Sequence, residues 1–170
     1  YHVTESGFAA DIGFEKFCDL KCRYSGLTPD AVVVVATIRA LKNHGGAPAP
    51  KLGHPLPEVY SKENVGFVEK GAENLLHHIG IAKKFGVSPV VCISAFFSDT
   101  PAEIARVREL CENAGARVAV SRHWELGGEG AIELAEAVIE AANEPSTFKP
   151  LFDWSMPYKE RIELIAKEIY

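Results

Sequence analysis

At 170 residues the chain can bury one sizeable core, and 47% hydrophobic with 24% charged residues is the composition of an ordinary globular domain. A formal net charge of -5 and a pI near 5.7 exclude a general nucleic-acid binder, which presents a basic face. No apolar run approaches the ~20 residues that a bilayer span needs, so no membrane segment is expected.

In chain order, residues 11–24 carry Ile12, Phe14, Phe17, Cys18, Leu20 and Cys22 at near-helical spacing, and Gly26 ends that helix. Thr28-Pro29-Asp30 turns the chain into a first buried strand, Ala31–Thr37 (AVVVVAT). Residues 38–46 read as a loop, and residues 45–57, with four prolines and three glycines, continue it. Ser61 and Asn64 open a long helix reaching Lys84 and closed by Gly86. Its stripe (Val65, Val68, Leu75, Leu76, Ile79, Ala82) faces a sheet. On it, His77 and His78 point to different faces and read as one surface and one half-buried residue. A second strand, Pro89–Ile93, precedes Thr100-Pro101-Ala102-Glu103, where an N-cap Thr, Pro at the first position and Glu at the third start a helix to Ala114. A third strand, Arg117–Val120, a Trp124 loop and a helix over residues 128–143 follow. After Pro145 comes an irregular stretch, then a helix over residues 157–169. The order is α-β-α-β-α-β-α, so the fold class is α/β: a parallel sheet with crossover connections and flanking helices. Tyr1 in place of Met, an ending at Tyr170 in mid-pattern and only three strands together suggest an incomplete domain with sequence on either side.

The four cysteines show no paired-hook spacing. Cys18 and Cys22, four apart on a helix, share a face, but zinc would need two more ligands and no second pair is evident. Cys92 reads as a small buried hydrophobe, and four scattered thiols fit a reducing cytosol.

Each strand empties into a loop of different chemistry, and in open α/β sheets ligands bind just beyond the carboxyl ends of strands. After the first strand, Arg39, Lys42 and His44 beside Gly45 and Gly46 suggest anion contacts, with a solvated loop as the alternative. After the second, Ser94 leads into Phe96 and Phe97, either of which stacks on a flat heterocycle or serves as core. After the third, Trp124 lies between Arg122-His123 and Gly127-Gly128: a stacking platform beside an anion-friendly backbone, or a packing Trp. The polar Thr4–Asp11 loop offers Glu5 and Asp11 as ligands for a metal or ordered water, with helix capping as the other reading of Asp11. No G-x-x-x-x-G-K-[ST] phosphate loop and no G-x-S-x-G elbow occurs between Tyr1 and Tyr170. The loops read as the base-side and substrate-side walls of a nucleotide site without its phosphate cradle.

At these loops the sequence resembles the formate–tetrahydrofolate ligases. The likeness rests on Val3-Thr4-Glu5-Ser6-Gly7-Phe8-Ala9-Ala10-Asp11-Ile12-Gly13, Glu15-Lys16-Phe17, Lys21-Cys22-Arg23, and Val34-Val35-Ala36-Thr37-Ile38-Arg39-Ala40-Leu41-Lys42. It continues through His44-Gly45-Gly46, His123-Trp124 with Gly127-Gly128, and the closing Lys159-Glu160-Arg161-Ile162 and Glu168-Ile169-Tyr170. It spans the chain but only an internal part of a family member. It implies an ATP-dependent ligase joining formate to N10 of tetrahydrofolate through formyl phosphate, with Mg2+, a stimulating monovalent cation, a cytoplasmic location and a homotetramer. It implies a P-loop NTPase-like core, of which residues 1–144 would be the C-terminal half with folate-side loops. Residues 145–170 would be a linker and the start of a helical segment, and the N- and C-terminal remainder of the polypeptide would be the partner. By motif, Phe96 and Trp124 would hold the folate ring, and Ser94 would lie at the nucleotide base. Catalytic residues are not identified by it.

The departures from the family pattern are local. Ala9 stands for a usual Gly, which would strain a positive φ; Ser94-Ala95 replaces more polar residues; Asn43 stands for Met, and Phe97 for Pro or Lys. Without a phosphate loop, the chain by itself is expected to be inactive in phosphoryl transfer. The alternatives are a non-catalytic α/β ligand-binding or assembly module, and a different small-molecule α/β enzyme of shared ancestry.

Overall fold

The computed structural model describes residues 1–170. Its centre is a three-stranded, fully parallel sheet in the order β1 (Ala31–Ala36), β2 (Ser88–Ser94), β3 (Arg117–Ser121). The register pairs Ala36 with Ile93 and Ser94 with Ser121, so all three carboxyl ends open on one edge of the molecule. Helices α3 (Val65–Lys84) and α4 (Pro101–Asn113) make the two crossovers. They cover one face with α2 (Ile38–His44), enclosing Ala36, Ile38, Leu41, Val68, Leu75, Ile79, Val91, Ile93, Val107 and Val118. Helix α6 (Ile132–Ala142) packs on the strands from the other side, burying Ala141. It leaves Val33 and Val35 of β1 exposed, Val35 to 66%, beside an outer edge that no strand pairs.

Local chemistry explains the boundaries. Asn64 caps α3 by accepting the Phe67 N–H at 3.0 Å, three residues beyond the expected start, while Glu58–Tyr60 forms a short 3-10 turn instead. Thr100 and Glu103 form a reciprocal capping box at α4, as read from the sequence. The first helical stretch is present but irregular: π-type turns over Ala10–Phe14 and Phe17–Lys21 run into α1 (Cys22–Ser25), ended by Gly26 at φ 72°. A second cluster (Phe14, Cys18, Ile81, Phe85, Val87, Ile169) sits at the amino end of the sheet, where α7 (Tyr158–Glu168) closes on α3. The substitution at Ala9 carries no strain, because Ala9 is extended (φ -95°, ψ 178°) and the left-handed residue of that loop is Phe8 at φ 64°.

One expectation fails outright. Residues 38–44 are a helix, not a loop, because Thr37 caps it through Ala40 N–H (3.1 Å) and Ile38 and Leu41 point into the core. The backbones of α2 and α3 then touch. A Cβ on Gly45 would lie 2.0 Å from the Phe67 carbonyl oxygen, and one on Gly71 1.8 Å from that of Leu41.

Candidate functional site

The carboxyl end of the sheet brings together the mouths of β1, β2 and β3, and α2 supplies its floor. Lys42 is wholly buried; its Nζ lies 2.7 Å from Glu103 Oε1 and donates to the Lys62 carbonyl at 2.8 Å. Glu103 accepts twice more, at Oε1 from Asn64 N–H (2.7 Å) and at Oε2 from Thr100 N–H (3.2 Å). Burial alone would push the Glu103 carboxyl up, but Lys42 and those two amides outweigh it and hold it below its ordinary value. One carboxylate thus ties α2 to the starts of α3 and α4. In this position Lys42 is a tie within the fold rather than an anion contact at the surface. The same applies to Gly45 and Gly46, whose N–H groups donate to Leu41 and Asn43 carbonyls at 2.8 and 3.0 Å and are not free for an anion. His44 is exposed.

Arg39, one helical turn before Lys42, turns towards β2. Its guanidinium carbon lies 4.3 Å from the centre of the Phe96 ring, and Nη2 donates to Ser98 Oγ at 3.4 Å. Phe96 is half-buried and held by a tight turn: its N–H donates to Asp99 Oδ2 (2.8 Å), and Asp99 N–H returns to the Phe96 carbonyl (3.0 Å). Burial pushes the Asp99 carboxyl up, opposed by that N–H and by the charges of Arg39 and Lys42. Phe97 projects into solvent, 96% exposed.

At the β3 mouth the Ser121 hydroxyl is 2.8 Å from His123 Nδ1, and Arg122 N–H donates to the Gly130 carbonyl (2.8 Å), folding the loop back on itself. A Cβ on Gly130 would meet the Arg122 carbonyl at 2.5 Å, and Gly127 adopts φ 61°, ψ -140°, open only to glycine. Trp124 sits on the four-residue α5 (His123–Leu126), 86% exposed and in no ring–ring contact with Phe96. Arg122 and Gly128 are exposed beside it. Between α4 and the β3 loop runs a cleft of about 580 Å³ lined by Asp99, Ile104, Arg108, Val120, Arg122 and Glu129, with neither Phe96 nor Trp124 in its lining. A shallow cleft of about 790 Å³ at the far end of the sheet carries Lys83, Lys84 and Lys149, the first two already engaged by the Ala114 carbonyl and Glu168.

The structure therefore gathers Arg39, Ser94, Phe96, Arg122 and Trp124 at one rim. Glu5 is exposed and Asp11 half-buried, and no group of three or more His, Cys, Asp or Glu side chains comes together. Cys18, Cys22, Cys92 and Cys111 are all buried free thiols. Sequence reasoning missed Asp99, Ser121 and the second role of Glu103. The Asp three residues after Phe96 was a visible turn signal; the partners of Glu103, 39 and 61 positions away, were not.

A family model described as formate–tetrahydrofolate ligase matches residues 1–170. Curated proteins of that name are similar over all 170 residues: 68% identical in Lawsonia intracellularis, 69% in Desulforapulum autotrophicum and 58% in a Dehalococcoides mccartyi strain. The chain spans 29%, 29% and 28% of the length of these three relatives. No helix is long and apolar enough to cross a membrane. On the match along its whole length, the chain belongs to the formate–tetrahydrofolate ligase family.

Proposed function

We propose that this chain supplies the folate-side wall of a ligase that joins formate to N10 of tetrahydrofolate at the expense of ATP. The observation that carries the reading is the pair of aromatic rings at the mouths of adjacent parallel strands. Phe96 is half-buried beyond β2 and Trp124 is exposed beyond β3, both on the same edge of the sheet. Such rings stack on a flat pterin, and a sheet's carboxyl edge is where ligands sit. On this reading residues 1–144 are the second half of a P-loop NTPase-like core, with Ser94 facing the nucleotide base and Arg122 near an anionic group. Residues 145–170 lead into a helical segment. ATP and formate enter as substrates, magnesium arriving with ATP, in a cytoplasmic, tetrameric, cation-stimulated enzyme whose other segments cradle the phosphates.

Within these residues the work is positioning. The rings exclude water from one face of the bound ring system and fix its orientation, which is the share of catalysis that proximity supplies. The purified chain, given formate and MgATP, is expected to form no 10-formyltetrahydrofolate, and detectable product would overturn that.

The binding test is a tryptophan-fluorescence titration with tetrahydrofolate, with and without MgATP. Trp154, stacked at 5.2 and 5.0 Å by the Arg23 and Arg161 guanidiniums, supplies a separate background. Saturable quenching that disappears in Trp124→Phe supports the shelf. A cooperatively folded chain that shows none counts against it.

A further inference from the structure

We propose that Arg39 is a positioning residue for the Phe96 face of the shelf: it holds the ring from behind and leaves one side for a ligand. This rests on the reading of Phe96 as a stacking residue and extends it to a residue that touches no ligand. The guanidinium carbon is 4.3 Å from the Phe96 ring centre, inside the distance at which a cation and an aromatic face attract. A delocalised planar cation suits that face better than an ammonium, which prefers to stay hydrated.

The neighbours argue the same way. Arg39 Nη2 reaches only Ser98 Oγ, at a long 3.4 Å, and Nε is buried with no hydrogen-bond partner. No carboxylate lies within ion-pair distance of Arg39, although Asp99 is near enough for their charges to interact. A half-buried guanidinium with weak polar satisfaction is costly, so the aromatic face is its main compensation. The cation is also held from below. Three residues on, Lys42 is locked to Glu103, and Glu103 also caps α4, the helix that begins five residues after Phe96. Backbone and side chain of the Phe96 turn are therefore fixed by two devices, Asp99 on its N–H and Arg39 on its ring. With one ring face taken, a bound heterocycle has only the opposite face to stack on.

The test is a double-mutant cycle on the 170-residue chain, read by tetrahydrofolate titration of Trp124 emission, with cooperative unfolding as the folding control. Phe96→Leu alone is expected to weaken binding by about tenfold, in line with the loss of one stacking partner. Arg39→Ala is expected to weaken it roughly three- to tenfold, the range a partly exposed cation–π contact supports, with partial rescue by Arg39→Lys. In the Phe96→Leu background, Arg39→Ala is expected to change nothing further, because its effect passes through the ring. Additive losses overturn the positioning role, as does an unchanged affinity in Arg39→Ala beside a weakened Phe96→Leu. An unchanged affinity in Phe96→Leu instead removes the shelf reading, and this inference with it.

A second arm needs no ligand. With 13C-labelled phenylalanine, the Phe96 ring signals, assigned by their loss in Phe96→Leu, are expected to shift and narrow in Arg39→Ala as the ring gains freedom. Unchanged Phe96 signals overturn the proposal whether or not the chain binds folate.

Discussion

Both ends of the sheet bury charge, and they do so in opposite ways. At the carboxyl end, Lys42 and Glu103 are fully buried and each of their charged atoms has a partner: an ammonium, a carboxylate, a carbonyl and two amides meet. At the amino end, Asp19 is equally buried but poorly served. Its Oδ1 accepts from Leu151 N–H at 2.8 Å and lies 3.6 Å from Arg23, while Oδ2 and the Arg23 Nε and Nη2 atoms have no hydrogen-bond partner. Glu15 lies one turn earlier, and burial first, then the neighbouring Asp19, push its carboxyl up to about 7. The first arrangement fixes geometry under the candidate site; the second leaves two carboxyl groups close together with few partners and makes stability fall as pH rises.

The largest effect should come from breaking the satisfied pair. Lys42→Met leaves Glu103 buried without its cation and is expected to cost about 3–5 kcal/mol, measured by urea denaturation at pH 7. A cost below 1 kcal/mol would mean that α2 is not tied through Glu103. Acid should loosen the same tie. Because folding lowers the Glu103 carboxyl, its contribution is complete above the ordinary glutamate value and is lost as pH falls through the lower folded one.

The amino-end pair has the opposite sign. Folding raises Glu15, so its protonated form favours the folded state below about 4.5, and stability declines as pH rises towards about 7. Glu15→Gln keeps a donor and removes the ionisation. It is expected to flatten that decline and to stabilise the chain at pH 8 by about 1–2 kcal/mol, allowing for partial exposure. A stability profile between pH 4.5 and 8 identical to that of the unmodified chain would discard Glu15 as the source of the decline.

A smaller contrast lies at the carboxyl-end rim. Phe96 has its ring against Arg39 and its N–H on Asp99, so Phe96→Ala is expected to lower stability by about 1–2 kcal/mol. Trp124→Ala, at an 86% exposed side chain, is expected to change it by no more than about 0.5 kcal/mol. Paired thermal melts compare the two. Equal losses would mean that Trp124 packs within the chain instead of standing ready for a ligand.

Much of this was legible locally. The strand at residues 31–36 announced itself as an apolar run and those at 88–94 and 117–121 lay between turn signals, while Asn64 and Thr100 signalled helix starts because a cap acts on amides two or three residues away. The aromatic residues at the strand mouths could be placed for the same reason. The helix at 38–44 was signalled too, by Thr37 and by Ile38 and Leu41 three apart, but three charged or ionisable side chains beside two glycines imitated a loop.

What the sequence determined by itself is therefore the α/β order, the strand ends and the family likeness, all carried by contiguous residues. Only the tertiary structure decided what the charges do. Lys42 became a buried tie, Arg39 came to lie over the Phe96 ring, and burial beside Asp19 raised the Glu15 carboxyl. The physical reason is distance along the chain and burial. Lys42 meets Glu103 across 61 residues, and a charge acts as a surface contact or an internal tie according to the water and the partners that folding leaves around it.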